Sequence, residues 1–206
     1  MSMNTRVLLV DDEVAIRRQL RVAMARSGYD AVESGDALDA LTSIERHARE
    51  GRPFDVVVTD MVLPDIDGLK LLSIIKSRYP DLKVIVISGY GGEDTPEAVT
   101  RGRGDGFMAK PFETEALTSM LSGLDVRRSA AVAVEAPTSV SSYLFVTVAE
   151  GLDPMGVYEA LAYEDGVVYC DAIRDGEHQI LLLLHGASHK ETEGRVADLV
   201  RRVKGI

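Results

Sequence analysis

Three short runs, residues 7–10 (VLLV), 56–59 (VVVT) and 84–88 (VIVIS), are apolar at consecutive positions, whereas a strand with one wet face alternates. Such runs suit a sheet covered by helices on both faces, and therefore parallel strands joined by crossovers. Helical periodicity fills the gaps. Residues 13–27 place Ile16, Leu20 and Met24 four apart with Gly28 as a stop, and similar faces recur over 37–48, 68–78 and 113–121. With 31–33 as an edge strand and 106–109 as a fifth strand, residues 1–123 are predicted to form an α/β domain built on a five-stranded doubly wound parallel sheet. The stretch 95–100 is a weaker helix because Gly102, Gly104 and Gly106 follow it closely, and mobility is expected there.

Residues 124–141, with Arg127, Arg128, Pro137 and several serines, read as a linker; continuation of the last helix to Val134 is the alternative. Residues 142–206 change rhythm. Strand 143–148, helix 153–164, strand 167–173, a turn at 174–177, strand 179–185 and helix 190–203 give the order βαββα, a small α+β plait. Residues 180–184 (ILLLL) are apolar throughout, more than one buried face requires. A second copy of the domain, giving a homodimer, or the first domain is expected to cover the other face. Cys170 lies in an apolar strand and is expected to be buried and inert, and Gly186 between His185 and His189 argues against a metal site on one helix.

Composition removes several functions. The net charge of −10 is spread evenly, with 15 basic and 20 acidic residues in 1–122 and 8 and 13 in 123–206, so no basic face for direct DNA binding is expected. Residues 130–134 and 180–184 are the longest apolar stretches, well short of the ~20 residues of a membrane span, and no basic-then-apolar export signal opens the chain. One cysteine excludes an internal disulfide framework. A cytoplasmic protein without membrane contact is expected.

Doubly wound sheets place their sites beyond the carboxyl ends of the strands. Here the strands end in Asp11-Asp12-Glu13, Asp60, Ser88 and Lys110-Pro111, so acids, a hydroxyl and an amine converge on one edge. Crowded carboxylates ionise together most readily around a hard divalent cation, which points to Mg²⁺ and to a phosphoryl group as a further ligand. Asp60, alone at the end of the central strand, is the candidate nucleophile toward phosphorus. Lys110 and the Ser88 hydroxyl are then placed to pair with phosphoryl oxygens.

These residues carry a family resemblance. VLLVDDE, VVVTDMVLPDIDG, VIVISGY and KPF occur in order, and residues 5–122 resemble the receiver domain of two-component response regulators, a flavodoxin-like fold. The resemblance implies phosphotransfer from a sensor histidine kinase or phosphotransfer protein to Asp60. It also implies Mg²⁺ held by Asp12, Asp60 and the backbone carbonyl of Val62, with Asp11 supporting the metal through water. Ser88 and Lys110 match residues that contact the phosphoryl group, Phe107 matches the aromatic that reports activation, and Pro64 and Gly68 match the loop after the phosphoacceptor.

Phe107 remains open between a plain core aromatic and a switch residue beside Ser88. Val62 and Tyr90, two residues past Asp60 and Ser88, flank the site and orient an attacking water poorly, so slow self-dephosphorylation is expected. The glycines at 91–92 and 102–106 exceed the family pattern, and either easier rearrangement or drift of a surface loop accounts for them. The tail is similar to small-molecule-binding ACT and Lrp/AsnC effector domains, ferredoxin-like modules that bind ligands between subunits. The chain is thus expected not to be an enzyme beyond its own phosphorylation and dephosphorylation. The alternative is a phosphatase of the aspartyl-phosphate kind on a related fold.

Overall fold

The structure, a computed structural model, describes residues 4–89, 95–126, 140–148, 157, 158, 161, 167–173, 179–186 and 188–202. It divides into two units, Met1–Val134 and Glu135–Ile206.

In the first unit β1 (Arg6–Val10), β2 (Asp30–Ser34), β3 (Val56–Asp60), β4 (Lys83–Ser88) and β5 (Gly106–Ala109) form one parallel sheet in the order β2-β1-β3-β4-β5. The crossovers carry α1 (Val14–Arg26), α2 (Ala37–Arg49), α3 (Gly68–Arg78) and α4 (Thr95–Arg101), and α5 (Thr114–Gly123) follows β5. Consecutive apolar residues in the central strands are explained by burial on both faces. Val7, Leu9, Val56, Val58, Ile85 and Ile87 pack with Leu20 and Met24 of α1 and Leu117 and Leu121 of α5. The alternate residues Leu8, Val57 and Val86 are equally buried, and Leu41, Leu71 and Ile75 of α2 and α3 are buried too. Each such side chain contributes about 2 kcal/mol by leaving water. Gly28 follows α1 at φ +84°, the left-handed conformation that favours glycine at a helix stop.

Of the two readings for the residues after the last helix, continuation of that helix is not what is seen: α5 ends at Gly123, and Leu124 is extended. Leu124 and Val126 then pack against the core, so the unit reaches past residue 123. The glycines after the short α4 sit close against neighbouring elements. A Cβ on Gly104 would lie 2.3 Å from Val99 Cγ1, one on Gly102 2.9 Å from Leu72 Cδ2, and one on Gly106 2.7 Å from Met120 Sδ. Bare backbone there leaves room for Leu72, Val99 and Met120 of α3, α4 and α5 along this edge of the sheet.

In the second unit β6 (Val140–Thr147), β7 (Val167–Ile173) and β8 (Gln179–Gly186) form an antiparallel sheet in the order β6-β8-β7. β6 begins at Val140, inside the stretch read as linker, because Ser141 and Ser142 pair with His185 and Leu184 and serve as strand residues. Val157, Tyr158 and Leu161 are helical, and α6 (His189–Arg202) packs on β6 and β8. The Ser188 hydroxyl accepts from the Glu191 amide at 3.2 Å and caps α6. Ile180, Leu182 and Leu184 alternate into a core with Val146, Val148, Val157 and Leu161. Tyr90, Gly91, Gly92, residues 127–139 of the expected linker, most of the helix expected over 153–164 and residues 203–206 lie outside the described residues, as do the side chains of Cys170 and His185.

Candidate functional site

Strand register assembles the site. Val10 pairs with Thr59, Asp60 with Ile87 and Ser88 with Ala109, so Asp11, Asp60, Ser88 and Lys110 emerge at nearly one level of the carboxyl edge. The chain leaves β1 for β2 on one side and returns to β3 on the other, so the order reverses between the strands that carry Asp11 and Asp60.

Asp11 and Asp60 are 4 % and 8 % exposed, whereas Asp12 faces solvent. One carboxylate oxygen from each lies within 4.8 Å of the others. The Lys110 amine sits between two of them, donating to Asp60 Oδ2 at 2.6 Å and Asp11 Oδ2 at 2.9 Å. Burial pulls this amine down, but the hydrogen bonds and charges of Asp60 and Asp11 outweigh that and hold it above its ordinary 10.5. The backbone amides of Glu13 and Val62 donate to Asp11 Oδ1 at 2.8 Å and to Asp60 Oδ1 at 3.3 Å. A guanidinium nitrogen of Arg17 bonds the Asp11 carbonyl.

Three carboxylates around one ammonium leave an excess of negative charge on hard oxygen donors, with one acid open to water. That donor set fits a hard divalent cation such as Mg²⁺, which takes one or two carboxylates and keeps several waters.

Ser88 is fully buried, and its hydroxyl donates to Met61 Sδ at 3.5 Å. Lys110 N bonds the Ser88 carbonyl at 2.7 Å, tying the two side chains to adjacent strands. Phe107 pairs with Val86 on the edge strand and is half-buried; its neighbour Met108 enters the core instead. Val62 is 58 % exposed beside the site.

The loop after Asp60 is held by contacts that residue spacing does not announce. The Met61 amide bonds the Ile87 carbonyl at 2.8 Å, and the Gly68 amide bonds the Met61 carbonyl at 2.7 Å. A Cβ on Gly68 would fall 2.2 Å from the Asp60 carbonyl oxygen, so this position excludes any side chain. Asp65 accepts from the Ala37 and Leu38 amides at 3.0 and 2.8 Å. Nothing in the sequence pattern singles out Asp65, whose partners lie in a different crossover.

The amino end of the same sheet holds a second ionic cluster. Asp105 accepts from Lys76 at 2.7 Å, from Lys83 at 2.9 Å and from the Val84 amide at 2.9 Å. Burial raises the Asp105 carboxyl, but the Lys76 hydrogen bond, the Val84 amide and Lys83 outweigh it and hold the group below its ordinary 3.8.

Residues 7–122 match the family described as the response regulator receiver domain. The chain is 36 % identical over 120 residues to the response regulator protein FleR of Pseudomonas aeruginosa, covering 58 % of this chain and 24 % of that protein. It is 35 % identical over 116 residues to the DNA-binding transcriptional regulator NtrC of Azospirillum brasilense, covering 56 % of this chain and 23 % of that protein. It thus spans about a quarter of the length of these relatives. A CheY-like response regulator receiver domain protein from Methanospirillum hungatei superposes with a TM-score of 0.54 at 25 % identity, over 58 % of this chain and 92 % of that one. Relatives of this kind do not favour the phosphatase alternative. Sheet order, residue placement and the match over 7–122 agree, and the chain belongs to the response regulator receiver domain family.

Proposed function

We propose that the chain is a two-component response regulator in which Asp60 accepts a phosphoryl group and the second unit turns that event into altered protein contacts. The observation that carries this reading is Lys110, a buried-side amine held 2.6 Å from the carboxylate of Asp60 and 2.9 Å from that of Asp11. It is a cation already placed to meet the charge of an incoming phosphoryl oxygen.

An Asp60 carboxylate oxygen attacks the phosphorus of a phosphohistidine on a sensor kinase or phosphotransfer protein. The O–P bond forms as the N–P bond breaks, and the electron pair stays on the imidazole nitrogen. Asp11, Asp12, Asp60 and the Val62 carbonyl are the residues to hold Mg²⁺, which when bound neutralises charge on the transferred oxygens. Lys110 exchanges part of its pairing with Asp60 for a phosphoryl oxygen. The Ser88 hydroxyl exchanges a weak acceptor, the Met61 sulfur, for a charged one. Phe107 carries no hydroxyl, so its response to that change runs on packing. Exposed aliphatic Val62 offers no polar group to orient water for hydrolysis, which favours a long-lived phosphoprotein.

For the second unit, the order β6-β8-β7 with α6 against β6 and β8 supports a ferredoxin-like α+β plait of the ACT or Lrp/AsnC kind. Residues 180–184 are apolar throughout although Ile180, Leu182 and Leu184 already fill the core, and pairing between copies is the homodimer we favour. Although NtrC is named as DNA-binding, the acidic balance of residues 123–206 favours output through protein or small-molecule contacts rather than DNA. Among the described residues no helix is long and apolar enough to cross a membrane, and the reading places the chain in the cytoplasm.

Beryllofluoride with Mg²⁺ tests the reading. A stable complex, with no phosphate released from a chromogenic phosphomonoester, is expected. Steady turnover of the ester, or no complex in the wild type, would overturn it.

A further inference from the structure

We propose that Asp65 is a positioning residue for the phosphoacceptor: it tethers the loop that orients Asp60 to the first turn of α2. The proposal rests on the reading of Asp60 above and concerns how its carboxylate is aimed.

The first four amides of a helix have no partner within it. In α2 three of them are met by carboxylates of two different origins. The local cap Asp36 accepts from Asp39 N at 2.7 Å, the ordinary arrangement for an aspartate just before a helix. The other two, Ala37 N and Leu38 N, are met by the two oxygens of Asp65, which lies 28 and 27 residues further along the chain. Such amides are satisfied by any nearby acceptor, and a serine or aspartate within the α2 crossover would meet that need locally. Recruiting the loop after β3 adds a consequence that a local cap lacks, because loop and helix are then fixed to each other.

That loop begins at Asp60 itself. Met61 is pinned at both ends, its amide to Ile87 and its carbonyl to Gly68. Beyond it Val62 is 58 % exposed, yet its amide meets Asp60 Oδ1 at 3.3 Å. On the far side of this apex, Ile66 is buried and Asp67 caps α3 through Lys70 N at 2.9 Å. Asp65 is the point at which the apex is tied sideways, toward α2. Without it, Pro64 and Val62, both exposed, have less to hold them, and the amide that aims Asp60 loses its fixed position.

A purely structural role predicts that any lost cap on α2 has the same effect, so the test compares two caps on one helix. Mg²⁺ binding to the full chain is followed by amide NMR shifts in the wild type, Asp65→Ala, Asp65→Asn and Asp36→Ala. In the wild type Mg²⁺ is expected to move the Ala37 and Leu38 amides together with those of the loop. Asp65→Ala is expected to raise the Mg²⁺ dissociation constant by about tenfold, the lower range for loss of a support behind a ligand, and to uncouple the α2 amides from Mg²⁺. Asp65→Asn, with a single acceptor oxygen, is expected to fall between. Asp36→Ala is expected to lower thermal stability while leaving the dissociation constant within about twofold of wild type. Equal Mg²⁺ affinities in Asp65→Ala and wild type, or equal losses in Asp65→Ala and Asp36→Ala, would overturn the tether. A wild-type chain with no saturable Mg²⁺ binding would instead overturn the reading of Asp60 on which it rests.

Discussion

The parallel sheet carries an ionic cluster at each end, built from the same side-chain types in opposite proportion. At the carboxyl ends of the strands one amine, Lys110, serves two acids and leaves exposed Asp12 beside them. At the amino ends one acid, Asp105, receives two amines and a backbone amide. Lys76, 7 % exposed in its side chain, further donates to the Leu82 carbonyl at 2.8 Å. An acid fully supplied with donors and lying between strand starts is a brace. A set of acids under-supplied with cations is a site waiting for charge from outside. Stoichiometry, more than the presence of ion pairs, separates function from scaffolding here.

The brace gives the largest stability effect. Asp105→Ala strands the Lys76 ammonium in a buried place and is expected to cost about 3 kcal/mol in urea unfolding, with Mg²⁺ binding retained. Its pH dependence has a definite sign. Because the Asp105 carboxyl is held below 3.8, its contribution is present above that value and is lost as pH falls through the lower folded value. The gap in stability between wild type and Asp105→Asn should therefore be flat from neutral pH to about 4 and close only in stronger acid. A gap that narrows near neutrality would assign the brace to another group.

Gly68→Ala joins the two ends of the comparison, since its cost should appear at both levels. The new Cβ meets the Asp60 carbonyl, so a loss of about 2 kcal/mol is expected together with slower phosphoryl uptake. Loss of stability with unchanged uptake would detach the loop from the site. The smallest effect belongs to Val62. Val62→Asn is expected to leave stability unchanged and to speed loss of the phosphoryl group several-fold by offering water an amide to bond. An unchanged rate would remove Val62 from any account of lifetime.

The placement of the site was legible because Asp11 and Asp60 stand at the ends of apolar runs, and Ser88 closes another, whose burial on both faces suits a parallel sheet. Lys110 follows the half-buried edge strand β5, and the register brings all four to one level. What stayed hidden depends on neighbours remote in the chain. Asp65 looks like an ordinary loop acid until the start of α2 is beside it. Gly102, Gly104 and Gly106 look like a weak helix end until Leu72, Val99 and Met120 occupy the space. Ser141 and Ser142 look like linker until β8 gives them strand partners. Local propensity carries no record of such partners.

The account stands most directly on where a phosphoryl group attaches. Intact-mass analysis and peptide mapping of the full chain, after incubation with acetyl phosphate and Mg²⁺, should show a single phosphoryl group on Asp60. It should be absent in Asp60→Asn and retained in Asp105→Asn. A phosphoryl group carried elsewhere, or undiminished in Asp60→Asn, would contradict it.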